Sequence, residues 1–145
     1  MDQTQAQTLL ERVFTEVIDG GDYTRIDEIF AADFVDHGPM GDTQGHEAFA
    51  GMLDGFRAAM PGYRHEISDI AVVDDNTLVW QVHLLASFTG EMMGARGQGQ
   101  PIDLWVANAA RVRDGRVVEH WGLGQQGLGR MLGQLGLASP ATATA

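Results

Sequence analysis

The dipeptide Asp114-Gly115, which lies between two apolar runs near the C-terminal end, is the sequence feature that most constrains the fold. Asp-Gly in this setting is typical of a two-residue turn between antiparallel strands. Regular pairing outward from that turn predicts that Asn108 lies opposite Trp121 and Ala109 opposite His120. The sequence therefore predicts a β-hairpin, and with it a sheet.

The predicted register divides the hairpin into two faces, because side chains alternate along a strand. One face carries Ile102, Leu104, Val106, Asn108, Ala110, Val117, Glu119 and Trp121. The other carries Asp103, Trp105, Ala107, Ala109, Arg111, Val118 and His120. Both sets mix large apolar side chains with polar ones. This mixture predicts a sheet covered on both sides, with a pocket where one cover is incomplete.

The N-terminal half has the periodicity of helices. Apolar residues at helical spacing predict a helix over about residues 4–19, ended by Gly20-Gly21, and a short helix after Asp22. A short strand is predicted over 33–37, closed by Gly38-Pro39 and followed by a loop to Gly45. A third helix is predicted over 46–60.

Alternating apolar residues dominate from Tyr63 onward and predict four strands in a meander. The first two cover 63–73 and 77–89, and the hairpin supplies the others. The glycine-rich stretch 90–100 between them is a candidate lid. A short helix is predicted over 130–137, within a single domain that spans 1–138, and a disordered tail is predicted over 139–145. Helices followed by antiparallel strands predict an α+β fold.

Composition excludes several function classes. The formal charge of −11 disfavours binding to nucleic acid or to an anionic membrane surface. No apolar run approaches the length of a membrane span, and no secretory signal is recognised. The absence of cysteine rules out thiol chemistry and is consistent with a cytoplasmic location. All nine basic residues are arginine, so Schiff-base chemistry through a lysine is also ruled out.

Four stretches carry a family resemblance: Phe30 to Pro39, Gly45 to Phe49, Phe56 to Pro61, and Arg111 to Trp121. Together they resemble the SnoaL-like polyketide cyclase group of the nuclear transport factor two-like superfamily. The resemblance implies a cone-shaped, strongly curved sheet that wraps around a pocket closed by three N-terminal helices. The superfamily includes isomerases, dehydratases, epoxide hydrolases, ring-closing enzymes and binding domains. Membership therefore implies the pocket but leaves the chemistry open.

Departures from the family patterns argue against three of the superfamily's known mechanisms. The Tyr, Asp base and protonated Asp of the superfamily's ketosteroid isomerases are matched here by Phe14, His37 and Asn108, which argues against that mechanism. The aldol-type cyclases place an Asp shortly after the tryptophan that matches Trp121, whereas residues 124–127 contain no acid. No Asp–Arg–Asp arrangement like that of the limonene-type epoxide hydrolases can be placed.

Four residues are the candidate catalytic groups. His37 can exchange protons near neutral pH or can simply bond the following loop. Asp36 should face away from His37 unless a bulge at the strand end turns it inward. Asp103 lies at the start of an apolar strand, either desolvated as a general acid or solvated. Asn108 can hold a substrate carbonyl without titrating.

The candidate substrate-binding residues come from the helices, the sheet and the lid. Gln81 and His83 are predicted to share the face of Asn108, and His120 either lines the pocket or caps helix carbonyls on the far side. The full set is Phe14, Met52, Phe56, Gln81, His83, Met92, Met93, Trp105, His120 and Trp121. The histidines lack metal-binding spacing, so neither a metal nor another cofactor is predicted.

The resemblance, taken with these residues, implies a cofactor-independent cyclase that closes a ring, an oxygen heterocycle or a carbocycle, in a polyketide-type intermediate. The alternatives are an epoxide hydrolase, dehydratase or isomerase on a small apolar substrate, and a small-molecule binding domain without chemistry. A homodimer is expected through the outer face of the sheet, because the helices can cover only one of its two apolar faces.

Overall fold

The computed structural model of the chain describes residues 1–38 and 41–123. Helix α1, Gln3–Glu11, starts at a capping box in which Asp2 and Gln5 bond each other's backbone N–H groups at 2.8 and 2.9 Å. It continues as a π-helix over Arg12–Asp19, where the sequence predicts a regular helix. Gly20 caps the π-helix at a position that has no room for a side chain, since a Cβ there would lie 2.5 Å from the carbonyl oxygen of Thr15.

The next elements are α2, Ile26–Ile29; strand β1, Phe30–Gly38; strand β2, Gly41–Gln44; and helix α3, His46–Ala59. Strand β1 is longer than predicted. The segment predicted as a loop before Gly45 contains β2, so that part of the prediction is wrong. Its polar residues form a strand because they pair with β1, with His37 opposite Asp42. Tertiary pairing here outweighs a weak local preference for strand.

The predicted meander is confirmed as β3, Arg64–Asp74; β4, Thr77–Phe88; β7, Gln100–Arg113; and β8, Arg116–Leu123. The glycine-rich candidate lid instead contains a small hairpin of β5, Glu91–Met92, and β6, Ala95–Arg96. Gly97 allows the chain to pass close to β4, since a Cβ there would lie 2.3 Å from the carbonyl oxygen of Phe88.

The main sheet has six strands in the order β2-β1-β8-β7-β4-β3. Strands β1 and β8 pair in parallel, and all other neighbours are antiparallel. The N-terminal helices pack on one face of this large curved sheet. The predicted α+β fold, with its cone-shaped, mostly antiparallel sheet, is therefore confirmed.

The inner face of the sheet forms the core with the helices. Along β4, Leu78, Trp80, Val82 and Phe88 are buried, as the alternation predicts. The helices contribute Leu10, Val13, Phe14, Val17, Phe49 and Leu53 to the same core. Three phenylalanine rings, Phe30, Phe34 and Phe49, pack with centroids 4.8 to 5.1 Å apart. Apolar burial on this face supplies most of the stabilising free energy.

The C-terminal hairpin has the predicted turn but a different register. Asp114 and Gly115 both have positive φ, and Arg113 pairs with Arg116. A β-bulge at Val118 then shifts the pairing by one residue, so that Ala110 lies opposite His120 and Ala109 opposite Trp121. The predicted register is wrong beyond the bulge. Because one extra residue reverses the alternation, His120 points to the inner face and Trp121 to the outer face.

The predicted helix over 130–137, the disordered tail over 139–145 and the predicted turn residue Pro39 lie outside the described residues. Among the helices that the structure describes, none is long and apolar enough to cross a membrane.

Candidate active site

A cavity of about 200 Å³ lies between the helices and the inner face of the sheet. Its walls are almost entirely apolar, with side chains from the N-terminal helices, α3, β4 and β7. The principal apolar contributors are Leu10, Val13, Phe14, Ile18, Phe34, Phe49, Met52, Phe56, Met60, Val82, Leu84 and Val106. The polar side chains that line it are Asp36, Tyr63, His65, Asn108 and His120. Such walls suit an apolar molecule that carries a few polar groups.

Asp36 and His120 form the central polar contact of the cavity. They are direct neighbours on β1 and β8, and the bulge at Val118 turns His120 toward Asp36. Asp36 is 5% exposed, and its Oδ1 lies 2.5 Å from Nδ1 of His120. Asp36 Oδ2 makes no hydrogen bond within the described part of the chain. This second oxygen is therefore the atom of the pair left for a ligand.

Asn108 fixes the orientation of His120 from the next strand, β7. Its Nδ2 donates to the carbonyl oxygen of Val106 at 2.9 Å, which leaves Oδ1 facing Nε2 of His120, also at 2.9 Å. Since Oδ1 can only accept, Nε2 of His120 must carry a proton. The other ring nitrogen, Nδ1, faces Oδ1 of Asp36. The three residues form one hydrogen-bonded chain, the Asp36–His120–Asn108 chain.

The indole of Trp80 packs over this chain, with its ring centroid 5.8 Å from that of His120. Its Nε1 is buried and has no hydrogen-bond partner in the part of the chain that the structure describes. Trp80 also lies opposite Asn108 in the sheet. The Asp36–His120–Asn108 chain is thus covered on one side by an apolar ring, and this apolar cover strengthens the electrostatic interactions among its three residues.

A second polar pair, Asp19 and His65, lies where the π-helix meets β3. Asp19 Oδ1 accepts from His65 Nδ1 at 2.6 Å, and Oδ2 accepts from the backbone N–H of His65 at 3.0 Å. Tyr63, which also lines the cavity, donates its hydroxyl to the carbonyl oxygen of Ile18 at 2.7 Å. Burial raises the pKa of Tyr63 well above its ordinary value, so the hydroxyl stays protonated.

His37, a predicted catalytic residue, lies on the outer face of the sheet. Strand β1 is regular at this point, so Asp36 points inward and His37 outward. Its Nε2 lies 2.9 Å from Glu119 Oε2 and its Nδ1 2.9 Å from Asp42 Oδ1. The hydrogen bonds to Glu119 and Asp42 raise the pKa of His37. Its ring stacks on Trp121, which therefore lies outside the cavity as well.

Asp103 and three predicted substrate-binding residues, Gln81, His83 and Trp105, are also on the outer face. The sequence correctly predicts that Asp103 and Trp105 share a face, but Gln81 and His83 face away from Asn108. The reason is register: Trp80, not Gln81, pairs with Asn108. Asp103 Oδ1 lies 2.6 Å from Nε2 of His83, whose ring stacks on Trp105 at 4.3 Å.

The remaining predicted residues divide between the cavity and the small hairpin. Phe14, Met52 and Phe56 line the cavity. Met92 packs against the second apolar cluster, around Met60 and Phe88, and Met93 is 54% exposed. Neither methionine of the candidate lid lines the cavity. Within the described residues, no group of three or more His, Asp or Glu side chains is arranged to hold a metal ion.

Sequence reasoning missed Tyr63 on the cavity wall, and it also missed the pair formed by Asp19 and His65. They are separated by 46 positions, and no local motif links them. A signal was present at the start of β3, where His65 alternates with Ile67 and with Tyr63, the residue just before the strand, on the face that turns inward. Its partner Asp19 could not be identified, because only the packing of the π-helix end against β3 joins the two.

A family model of the SnoaL-like polyketide cyclases matches residues 8–128. The chain belongs to this family. The match includes every residue that lines the cavity. No curated protein matches the chain. Membership of the cyclase family agrees with the resemblance carried by the sequence stretches and supports a cyclase-type role.

Solved structures resemble this family member over nearly its whole length. IdmH from Streptomyces antibioticus, described as a candidate polyketide cyclase, is 29% identical; the match covers 92% of this chain and 99% of IdmH, with a TM-score of 0.73. AclR from Streptomyces galilaeus, described as a candidate hydroxylase, is 21% identical, with 93% and 98% covered and a TM-score of 0.74. TsrD from Streptomyces laurentii is 19% identical, with 92% and 98% covered and a TM-score of 0.76. The last two support the fold alone.

Proposed function

We propose that the protein is a cofactor-independent cyclase that closes a ring in an apolar, polyketide-type biosynthetic intermediate. The observation that carries the proposal is the Asp36–His120–Asn108 chain at the wall of an otherwise apolar cavity. Family membership and the likeness to IdmH, whose description names a polyketide cyclase, support the same reaction class.

Shape supplies one part of the proposed catalysis. The apolar walls bind an extended substrate in a folded conformation, with its reacting atoms close together and water excluded. Intramolecular reactions gain most from such positioning, because the entropic cost of bringing two groups together is met on binding. The aromatic side chains Phe14, Phe34 and Phe49 are rigid, and they restrict the conformations that the substrate can adopt.

Proton transfer supplies the other part. Asp36 Oδ2 takes a proton from the substrate or donates one, while Oδ1 remains bonded to His120. His120 balances the change in charge through its hydrogen bond to Asp36. Asn108 acts as a positioning residue, because both its hydrogen bonds are made to protein groups. These steps require only the chain's own residues, so the proposal includes no cofactor.

The protein is also proposed to form a homodimer through the outer face of the sheet. Trp105 is 55% exposed there, beside the stacked ring of His83. An exposed tryptophan on a sheet face that the helices leave uncovered favours a protein partner, and a second copy presents the same surface. Light scattering at micromolar concentration should give the mass of a dimer, and a monomeric mass would contradict this part of the proposal.

Metabolite profiling of a deletion strain tests the proposed function. We expect an uncyclised intermediate to accumulate and its ring-closed product to disappear. Complementation with the wild-type gene should restore the product, whereas complementation with Asp36→Asn should not. Asp33→Asn is the matched control, because Asp33 lies on the same strand but is exposed and paired with Arg113. An unchanged profile in the deletion strain would refute the proposal.

A further inference from the structure

His65 of the Asp19–His65 pair lies on the cavity wall, and the pair has no part in the Asp36–His120–Asn108 chain. Both carboxylate oxygens of Asp19 accept hydrogen bonds, one from Nδ1 of His65 and one from its backbone N–H. This arrangement requires a proton on Nδ1. In the neutral imidazole, Nε2 is therefore left as a hydrogen-bond acceptor.

Nothing in the described residues bonds to Nε2 of His65. The ring lies between those of Phe14 and Tyr63, with centroids 5.3 and 5.2 Å away. Tyr63 has already donated its hydroxyl to the carbonyl oxygen of Ile18. In this part of the wall, Nε2 is thus a polar atom surrounded by apolar surfaces. A hydrogen bond from a ligand to Nε2 is stronger in such surroundings than in water.

Hydrogen bonds to the neighbouring backbone hold the Asp19–His65 pair in place. The carbonyl oxygen of Ile18, the residue before Asp19, accepts from the hydroxyl of Tyr63 and also from Nη2 of Arg57 at 2.8 Å. Gly20 follows directly, at a position with no room for a side chain. The backbone before Asp19 is therefore anchored by two hydrogen bonds, as a preorganised binding group requires.

Sheet register gives the separation between this pair and the Asp36–His120–Asn108 chain. His65 lies opposite Leu84 on β4, and Asn108 lies opposite Trp80. The two levels are four residues apart along β4. At about 3.3 Å per residue, they are separated by about 13 Å along the strand. The cavity thus has two polar points with apolar walls between them.

We propose that the Asp19–His65 pair is a second substrate contact, at which Nε2 of His65 accepts a hydrogen bond from an enol or phenol hydroxyl. This inference rests on the proposed function and specifies its substrate class. The substrate would be elongated and largely apolar, with its reacting atoms at Asp36 and a hydroxyl donor near the other end. If the Asp19–His65 pair served only to stabilise the fold, a hydroxyl donor on the ligand would affect neither the binding affinity nor His65.

Binding of two probes of similar shape to the purified full chain tests this contact. One probe is 2-naphthol, and the other is 2-methylnaphthalene, which lacks the donor. Calorimetry measures the ratio of their affinities in the wild type, in His65→Leu and in Glu66→Gln. Glu66 is the matched control, because it is the next residue on β3 and is exposed. We expect the ratio to fall about tenfold in His65→Leu only, the usual effect of losing one neutral hydrogen bond.

A second measurement needs no variant and so does not depend on the folding of His65→Leu. In the wild type, the ¹⁵N resonance of His65 Nε2 should shift when 2-naphthol is added and not when 2-methylnaphthalene is added. Equal affinity ratios in the wild type and His65→Leu, an unmoved resonance, or no binding of either probe would overturn the inference. Probe binding requires no turnover. A His65-dependent preference together with an unchanged metabolite profile would leave this contact standing and refute only the cyclase.

Discussion

Replacing Asp36 by asparagine removes the carboxyl group from the cavity while keeping the shape of the side chain. The Nδ2 of the new asparagine can donate to Nδ1 of His120. This requires the tautomer with the proton on Nε2, which Asn108 already favours by accepting from Nε2. One hydrogen bond replaces another, so we expect the free energy of unfolding to change by about 1 kcal/mol or less. Proton transfer through Oδ2 is lost, and the rate should fall about 100-fold or more.

Asp36→Ala should behave differently in stability. It leaves Nδ1 of His120 without a partner in a buried setting, which should cost about 1–3 kcal/mol. The double variant Asp36→Asn/His120→Gln should be no slower than the slower single variant, because the two residues act on one proton. Thermal unfolding and the rate of conversion of the intermediate that accumulates in the deletion strain measure these effects. A folded Asp36→Asn variant with a near-wild-type rate would refute the acid–base reasoning.

Three further predictions follow from the two faces of the sheet. Deleting Val118 should remove the bulge but keep His120 opposite Ala110 on the inner face, so conversion should be retained, as in Val118→Ala; a folded deletion variant that has lost conversion would disprove that Val118 is the extra residue. Asp103→Asn, on the outer face, should leave the rate within about twofold of wild type, since surface substitutions are usually mild; a large loss would return Asp103 to the mechanism. The pKa of His37 is raised in the folded state, so protonated His37 should stabilise the fold fully below pH 6.5, the pKa in the unfolded chain, and progressively less as the pH rises through the raised pKa. The melting temperatures of wild type and His37→Gln should therefore converge with increasing pH. A constant difference would contradict that assignment.

Much of the fold could be predicted from the sequence because its signals are local. The alternation along β4 correctly identifies the inner face, since period two is a property of every strand. The Asp114-Gly115 turn is predictable for the same reason: both residues adopt the positive φ that such a turn requires. Strand β2 was missed because its polar residues form a strand only by pairing with β1.

The arrangement of the site depended on features without a local signal. A single extra residue, Val118, decides which side chain of β8 reaches the cavity, and nothing in the Val117-Val118 dipeptide distinguishes a bulge from regular pairing. His120 and Trp121 consequently exchange faces relative to the prediction. Side chains alternate regularly along β1 at this point. Asp36 therefore points into the cavity, and its neighbour His37 points outward.

Conversion of the accumulated intermediate by the purified protein, followed by mass spectrometry without any added cofactor, tests the central claim most directly. We predict a ring-closed product with the mass of the substrate, or lighter by one water, and loss of conversion in Asp36→Asn but not in Asp33→Asn. A product that has gained an oxygen atom, or tight binding of the intermediate with no conversion, would contradict the account.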